Sequence, residues 1–243
     1  GAKVNLAGVV GKDHNRDIIL SRLHKEGIDV EALFTEKQRY TTLKSRIFAR
    51  NQQVVRVDWE HVHPISKDTQ YKLTNFINKN IKNFDAIVVE DYGKGVIDMA
   101  LLTNIIPAAR RLKKIVTVDP KEDNFEQYFG VTAITPNRKE TENAIRYLKI
   151  RDRKNEFRVY KDGLVTTQDI KLAGYEIVKH LGLECLLITL GEQGMWLFEK
   201  KQDKHIPTLA QEVYDVSGAG DTTIATFTLA LCCGATKLEA AQL

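Results

Sequence analysis

The run Asp215-Val216-Ser217-Gly218-Ala219-Gly220-Asp221-Thr222 leads directly into an apolar helical stretch at 223–233. Its three small residues, Gly218, Ala219 and Gly220, let the backbone approach a ligand closely. At a helix start, N–H groups converge on one point and the positive end of the helix dipole faces the same way. Such a point suits an oxygen on which negative charge builds during a reaction. Asp221, beside it, is placed to accept a proton, and moving a phosphoryl group onto an alcohol requires the alcohol to lose one. These four residues are the candidate catalytic set. A glycine-rich turn whose final Asp merely caps a helix has the same local sequence, so the rest of the chain must decide.

A second pair sits in Thr135-Pro136-Asn137-Arg138-Lys139-Glu140, where Asn137 and Glu140 share one face of a helix start. Alone, they are also an ordinary capping arrangement. There is no Gly-x-x-x-x-Gly-Lys-[Ser/Thr] and no Gly-x-Gly-x-x-Gly after an early strand. A P-loop nucleoside triphosphatase and a nicotinamide dehydrogenase are therefore disfavoured.

The elements that must hold these residues alternate. Strands are expected at 4–10, 84–89, 115–118, 133–135 and 186–189, with helices at 15–26, 98–113 and 168–181 and another starting at Asn137. Strands alternating with helices predict an α/β fold with a parallel sheet between two helical layers, and ligand sites at the carboxyl ends of its strands. Two segments depart from this rhythm. Residues 41–50 and 53–59 alternate polar and apolar (Leu43, Ser45, Ile47, Ala49; Val55, Val57, Trp59), which predicts an antiparallel pair that in an enzyme can serve as a lid. The charged stretch 149–163 reads as an exposed connection.

Asp-x-x-Gly-Ala-Gly-Asp-Thr before an apolar helix resembles the second signature of the ribokinase-like (PfkB) carbohydrate kinases. The resemblance implies a three-layer ribokinase-like fold with a small β lid over 40–60. It also implies an anion hole at Gly218, Ala219 and Gly220, with Asp221 as catalytic base. Asn137 and Glu140 resemble the family's Asn-x-x-Glu element, which implies that they serve ATP and that Glu140 holds Mg²⁺ through water. Thr189-Leu190-Gly191-Glu192-Gln193-Gly194 resembles the nucleotide-side turn, implying ATP contacts by Thr189, Gly191 and Gly194. Lys121, just past a strand end, is expected at the nucleotide phosphates.

Within the family, Arg50-Asn51-Gln52-Gln53, Asp91-Tyr92-Gly93-Lys94-Gly95, Val118-Asp119-Pro120-Lys121 and the stretch 211–221 resemble the heptose 7-phosphate kinases. That implies phosphorylation of C1 of a heptose already carrying a 7-phosphate, in lipopolysaccharide-heptose precursor synthesis. The substrate residues would be Arg50, Asn51, Gln52, Arg56, Asp91 and Lys94, the three cations suiting the distal phosphate. A homodimer and a fused adenylyltransferase domain are expected partners in the full-length protein. The family's opening strand and Gly-Gly-Ala-Ala-Asn segment have no counterpart before Gly1-Ala2-Lys3-Val4, and only 237–243 follow the base-bearing helix. The expectation is one kinase domain over 1–243 lacking those flanking pieces. A ribose or fructose kinase, or a non-catalytic binding module, are the competing readings.

Composition fits this class. The chain has 243 residues, 43% hydrophobic and 28% charged, enough for a sizeable core. A formal charge of +4, without a basic run interleaved with aromatics, makes nucleic acid an unattractive partner. Three cysteines, Cys185 within an apolar run and Cys232 beside Cys233, suggest neither a disulfide framework nor a metal site. The most apolar stretch, 224–235, is too short to span a bilayer, so a cytoplasmic location without membrane contact is expected.

Overall fold

The computed structural model describes residues 1–49, 52–153, 157–208 and 218–243. They form two compact units, 1–80 with 93–101, and 81–92 with 102–243.

In the first unit, β1 (Gly8–Gly11) and α1 (His14–Lys25) lead to β2 (Leu33–Glu36), which pairs with β1 in parallel. The strand expected over 4–10 is shorter and shifted. Its partner β2 has only four residues, so a ladder of four pairs forms, and upstream only Asn5 makes an isolated bridge to Asp29. Asp13 caps α1 by accepting from the Arg16 N–H at 3.0 Å. The helix forms as expected, yet Ile18 and Ile19 remain exposed on it. β3 (Leu43–Ala49) and β4 (Gln52–Trp59) are antiparallel, with Leu43 opposite Trp59, Ser45 opposite Val57 and Ile47 opposite Val55. The expected alternation thus becomes one apolar face, and its large side chains are exposed. α2 (Lys67–Asn80) completes the unit.

The second unit is built on one six-stranded sheet. In chain order its elements are β5 (Ala86–Glu90), α3 (Met99–Arg111, whose first turn belongs to the first unit), β6 (Ile115–Asp119), β7 (Ala133–Ile134), α4 (Arg138–Arg151), α5 (Thr167–His180), β8 (Cys185–Thr189), β9 (Met195–Glu199), β10 (Asp203–Ile206), α6 (Ala219–Cys232) and α7 (Lys237–Gln242). The strand order is β10-β9-β8-β7-β6-β5, with β5 to β8 parallel and the last two antiparallel. Sequence reading did not anticipate β9 and β10, which return through the tight turn after Thr189.

Alternation along β8 shows why helices lie on both faces. Cys185 and Leu187, with Leu197 of β9, pack against Phe227 and Ala230 of α6 and Ala240 and Ala241 of α7. Leu186 pairs with Phe198 on the opposite face, where the Phe198 ring meets α5 at Gly174. A Cβ at Gly174 would stand 2.5 Å from that ring, so only glycine permits the approach. Each large apolar side chain buried here contributes roughly 1.5–3 kcal/mol relative to exposure. Cys185 is fully buried, and burial pushes its thiol pKa up, consistent with a packing role.

The stretch 149–163 is exposed, as expected, at Ile150, Arg153, Arg158, Tyr160 and Lys161, but not throughout. α4 continues to Arg151, and Phe157, Val159 and, just beyond, Leu164 bury their side chains and tie the connection down. No helix among the described residues is long and apolar enough to cross a membrane.

Candidate active site

Parallel pairing of β5 with β6 sets Glu90 opposite Asp119, so two carboxylates stand side by side at the carboxyl ends of neighbouring strands. α6 packs against these two strands and is pinned to β6 by a buried hydrogen bond between the Thr117 and Thr228 hydroxyls, 2.7 Å long. Its first turn thereby delivers Asp221 to the same spot. Glu90, Asp119 and Asp221 each offer a carboxylate oxygen, all within 4.8 Å of one another.

Such crowding is electrostatically costly. Burial, reinforced by the charges of Asp119 and Asp221, pushes the Glu90 pKa up to about 7. Burial likewise pushes Asp119 up to about 7, helped by the charges of Glu140 and Asp221. One offsetting contact reaches Asp221: the Tyr92 hydroxyl donates to Asp221 Oδ1 at 2.9 Å.

The start of α6 has the form the sequence suggests. Gly218 is the N-cap, in the left-handed region at φ 79°, and no side chain caps the helix there. That conformation favours glycine. At Gly220 a Cβ would meet nothing within 4 Å, so the space over the first turn is open. Ala219 is the first helical residue. The preceding 209–217, with Asp215 of the signature, lie outside the described residues.

The expected nucleotide-side residues are brought together only in part. Asn137 caps α4 in a full capping box, its Oδ1 accepting from the Glu140 N–H at 2.9 Å while Glu140 Oε2 accepts from the Asn137 N–H at 2.8 Å. The ordinary capping role is therefore real, but the Glu140 pKa is also raised, mainly by burial, and its charge reaches Asp119. Thr189, at the end of β8, bridges to Asn137, and its N–H donates to Pro136 O at 3.0 Å. That bridge joins two motifs more than 50 residues apart. Gly191 and Gly194 both take positive φ in the following turn, closed by Leu190 N–H to Gly194 O at 2.8 Å. Lys121 is paired with Glu122 at 3.1 Å.

The expected substrate residues are less uniform. Asp91 is buried, and its Oδ2 accepts from Asn124 and from Tyr128, each at 2.7 Å. It anchors the end of β5 to the 3-10 turn Glu122–Tyr128, a structural task the sequence reading did not foresee. Lys94 donates to the Glu60 carboxylate, and exposed Arg56 pairs with Asp58 at 3.0 Å. Gln52, the first residue of β4, is exposed opposite Ala49. Arg50 and Asn51 lie outside the described residues. Sequence reading assigned no role to Glu90, Tyr92 or Asp119. The available signal was their position, polar residues at the carboxyl ends of apolar strands.

Comparison with known proteins gives the family. The model of the pfkB family carbohydrate kinases matches residues 1–243. The "Bifunctional protein HldE" of Geobacter metallireducens is 40% identical over 244 residues, covering 100% of this chain and 47% of that protein. The protein of the same name from Helicobacter pylori J99 is 41% identical over 230 residues, covering 95% of this chain and 46% of its own. The chain thus spans about half the length of these curated relatives. Among solved structures, Escherichia coli phosphofructokinase-2 bound to potassium superposes with a TM-score of 0.75 at 18% identity, covering 99% of this chain and 73% of that one. Thermotoga maritima ribokinase gives 0.69 at 20% identity, covering 98% and 70%. These two likenesses establish the ribokinase-like fold, and the full-length family match with relatives at 40% identity establishes the rest: the chain belongs to the pfkB family of carbohydrate kinases.

Proposed function

We propose that the chain phosphorylates C1 of heptose 7-phosphate with ATP, giving heptose 1,7-bisphosphate. The observation that carries phosphoryl transfer is the juxtaposition at α6: an N-terminus with Gly218 in the left-handed region, open space over Gly220, and Asp221 three residues on. In this reading Asp221 takes the proton of the C1 hydroxyl as that oxygen attacks the γ-phosphorus. The N–H groups of 218–220 meet the negative charge on the transferring group, and ADP departs with the bond that breaks. Asn137, Thr189, Gly191, Gly194 and Lys121 are the proposed nucleotide contacts.

ATP use with a divalent metal goes with membership of a kinase family, and Mg²⁺ is the ion proposed. The donor set fits it, since hard cations take carboxylate oxygens and water, and Asp119 feels the Glu140 charge directly. Glu140, through water, and Asp119 would hold the ion, which when bound would neutralise charge on the phosphates. The heptose assignment is supported by the motifs at 50–53, 91–95 and 118–121 and by the relatives at 40% identity. Arg50, Arg56 and Lys94 are the proposed cations for the distal phosphate, and Asn51, Gln52 and Asp91 are the other proposed substrate residues. The full-length protein is proposed to be a cytoplasmic homodimer carrying an adenylyltransferase domain, in keeping with relatives of about twice this length named as bifunctional.

The test is the full-length protein with Mg-ATP and a panel of heptose 7-phosphate, heptose, ribose and fructose. The expected outcome is a far higher kcat/KM for heptose 7-phosphate, and a kcat lowered by about 10²–10⁴ in Asp221→Asn. Preference for ribose or fructose would remove the heptose assignment and leave the kinase. Near-normal turnover by Asp221→Asn would remove Asp221 as base.

A further inference from the structure

Tyr92 follows the anchored Asp91, whose N–H donates to Asp119 O at 3.1 Å and whose carboxylate is held by Asn124 and Tyr128. The backbone that carries the Tyr92 ring is therefore pinned at the end of β5. Tyr92 is 48% exposed, and its hydroxyl reaches across 129 residues of sequence to Asp221 Oδ1. Without that donor, the Asp221 carboxylate would face two other carboxyl groups, Glu90 and Asp119, within 4.8 Å. Like charges at that spacing push a flexible side chain away. A donor on Oδ1 holds it in place and leaves Oδ2, which lies 4.0 Å from where a Cβ at Gly218 would stand, on the side of the glycine turn.

We infer that Tyr92 is a positioning residue for phosphoryl transfer: it fixes one oxygen of Asp221 so that the other is aimed at the hydroxyl to be deprotonated. The inference rests on the kinase reading of Asp221 given above. Burial and the surrounding carboxylates raise the Tyr92 hydroxyl pKa, so it stays protonated, and a donor, through the neutral range. Asp221 is the residue that touches the reacting atoms, and Tyr92 acts through it.

The experiment compares four forms of the full-length protein with saturating Mg-ATP and heptose 7-phosphate: the parent, Tyr92→Phe, Asp221→Asn, and the double variant. Tyr92→Phe removes one oxygen from a half-exposed residue, so the fold is retained and melting temperature checks it. A lost hydrogen bond to a charged group corresponds to a fall of roughly 10- to 100-fold in kcat, with KM for ATP and sugar unchanged. If Tyr92 works through Asp221, the double variant is no slower than Asp221→Asn alone, because the group being positioned is already gone. Parental kcat in Tyr92→Phe, with Asp221→Asn impaired, overturns the inference and leaves the kinase reading standing. Multiplying losses in the double variant, or a raised sugar KM at unchanged kcat, also overturn it, since Tyr92 would then act independently or contact substrate. An unimpaired Asp221→Asn overturns both readings together.

Discussion

Gly220→Ala separates what the helix wants from what a ligand wants. Gly220 is the second residue of α6, its φ lies outside the left-handed region, and an added Cβ would meet no atom within 4 Å. Packing therefore offers no objection to alanine. Glycine in a helix is less favourable than alanine by up to about 0.8–1.0 kcal/mol, so the substitution should stabilise the fold by some fraction of that near the helix start. For a chain of this size a full 1 kcal/mol corresponds to about 2–4 °C in melting temperature, so the expected rise is a fraction of that. Activity should move the other way. The methyl group enters the open space over the first turn, where the proposed reaction needs a phosphoryl oxygen to approach backbone N–H groups. Removing one donor from such a hole costs about 10²–10³ in kcat, and crowding it should cost a sizeable part of that. The assay is differential scanning calorimetry beside steady-state kinetics on the same preparation of the full-length protein. A melting point that rises while kcat is unchanged would show that nothing binds over Gly220. A melting point that falls would refute the helical geometry on which both halves of the reasoning stand.

Two further outcomes follow from the carboxylates. Glu140→Gln keeps an acceptor for the Asn137 N–H, so the melting temperature should change little, but it removes a charge beside Asp119. The Mg²⁺ concentration for half-maximal rate should rise, and an unchanged titration would leave Glu140 with its capping role alone. Glu90, with its pKa raised to about 7, binds more protons folded than unfolded between about pH 4.5 and 7. Stability should therefore fall as pH rises through that window. Glu90→Gln, which cannot ionise, should gain in melting temperature on the parent from pH 4.5 to 8. A gap independent of pH would remove Glu90 as the group responsible.

Much of the frame was legible in local sequence because it is local in physical origin. Strands and helices follow from side-chain period, and the expected helices 15–26, 98–113 and 168–181 correspond to α1, α3 and α5 within one or two residues. The cap at Asn137 needs only residues three apart. The glycine turn before α6 is likewise a local object, since glycine accepts at little cost the positive φ that Gly218 adopts. β9 was less visible, because Met195–Phe198 is a continuous apolar run with no period to show its direction.

What the sequence by itself determined, then, was the helix start with its glycines, the carboxylate that follows, and the alternation that predicts a parallel sheet. Only the tertiary structure decided which groups surround that carboxylate. Glu90, Asp119 and Asp221 come from two strand ends and a helix, and their meeting depends on β5 and β6 pairing with Glu90 opposite Asp119. A shift of that register by one residue would turn one of the two carboxylates to the other face of the sheet. Asp91 and Tyr92 are adjacent in sequence and point to different work, one buried against Tyr128 and Asn124, the other exposed and bonded to Asp221. Successive side chains at a strand end face opposite ways, and what each meets there depends on chain that is 30 to 130 residues distant.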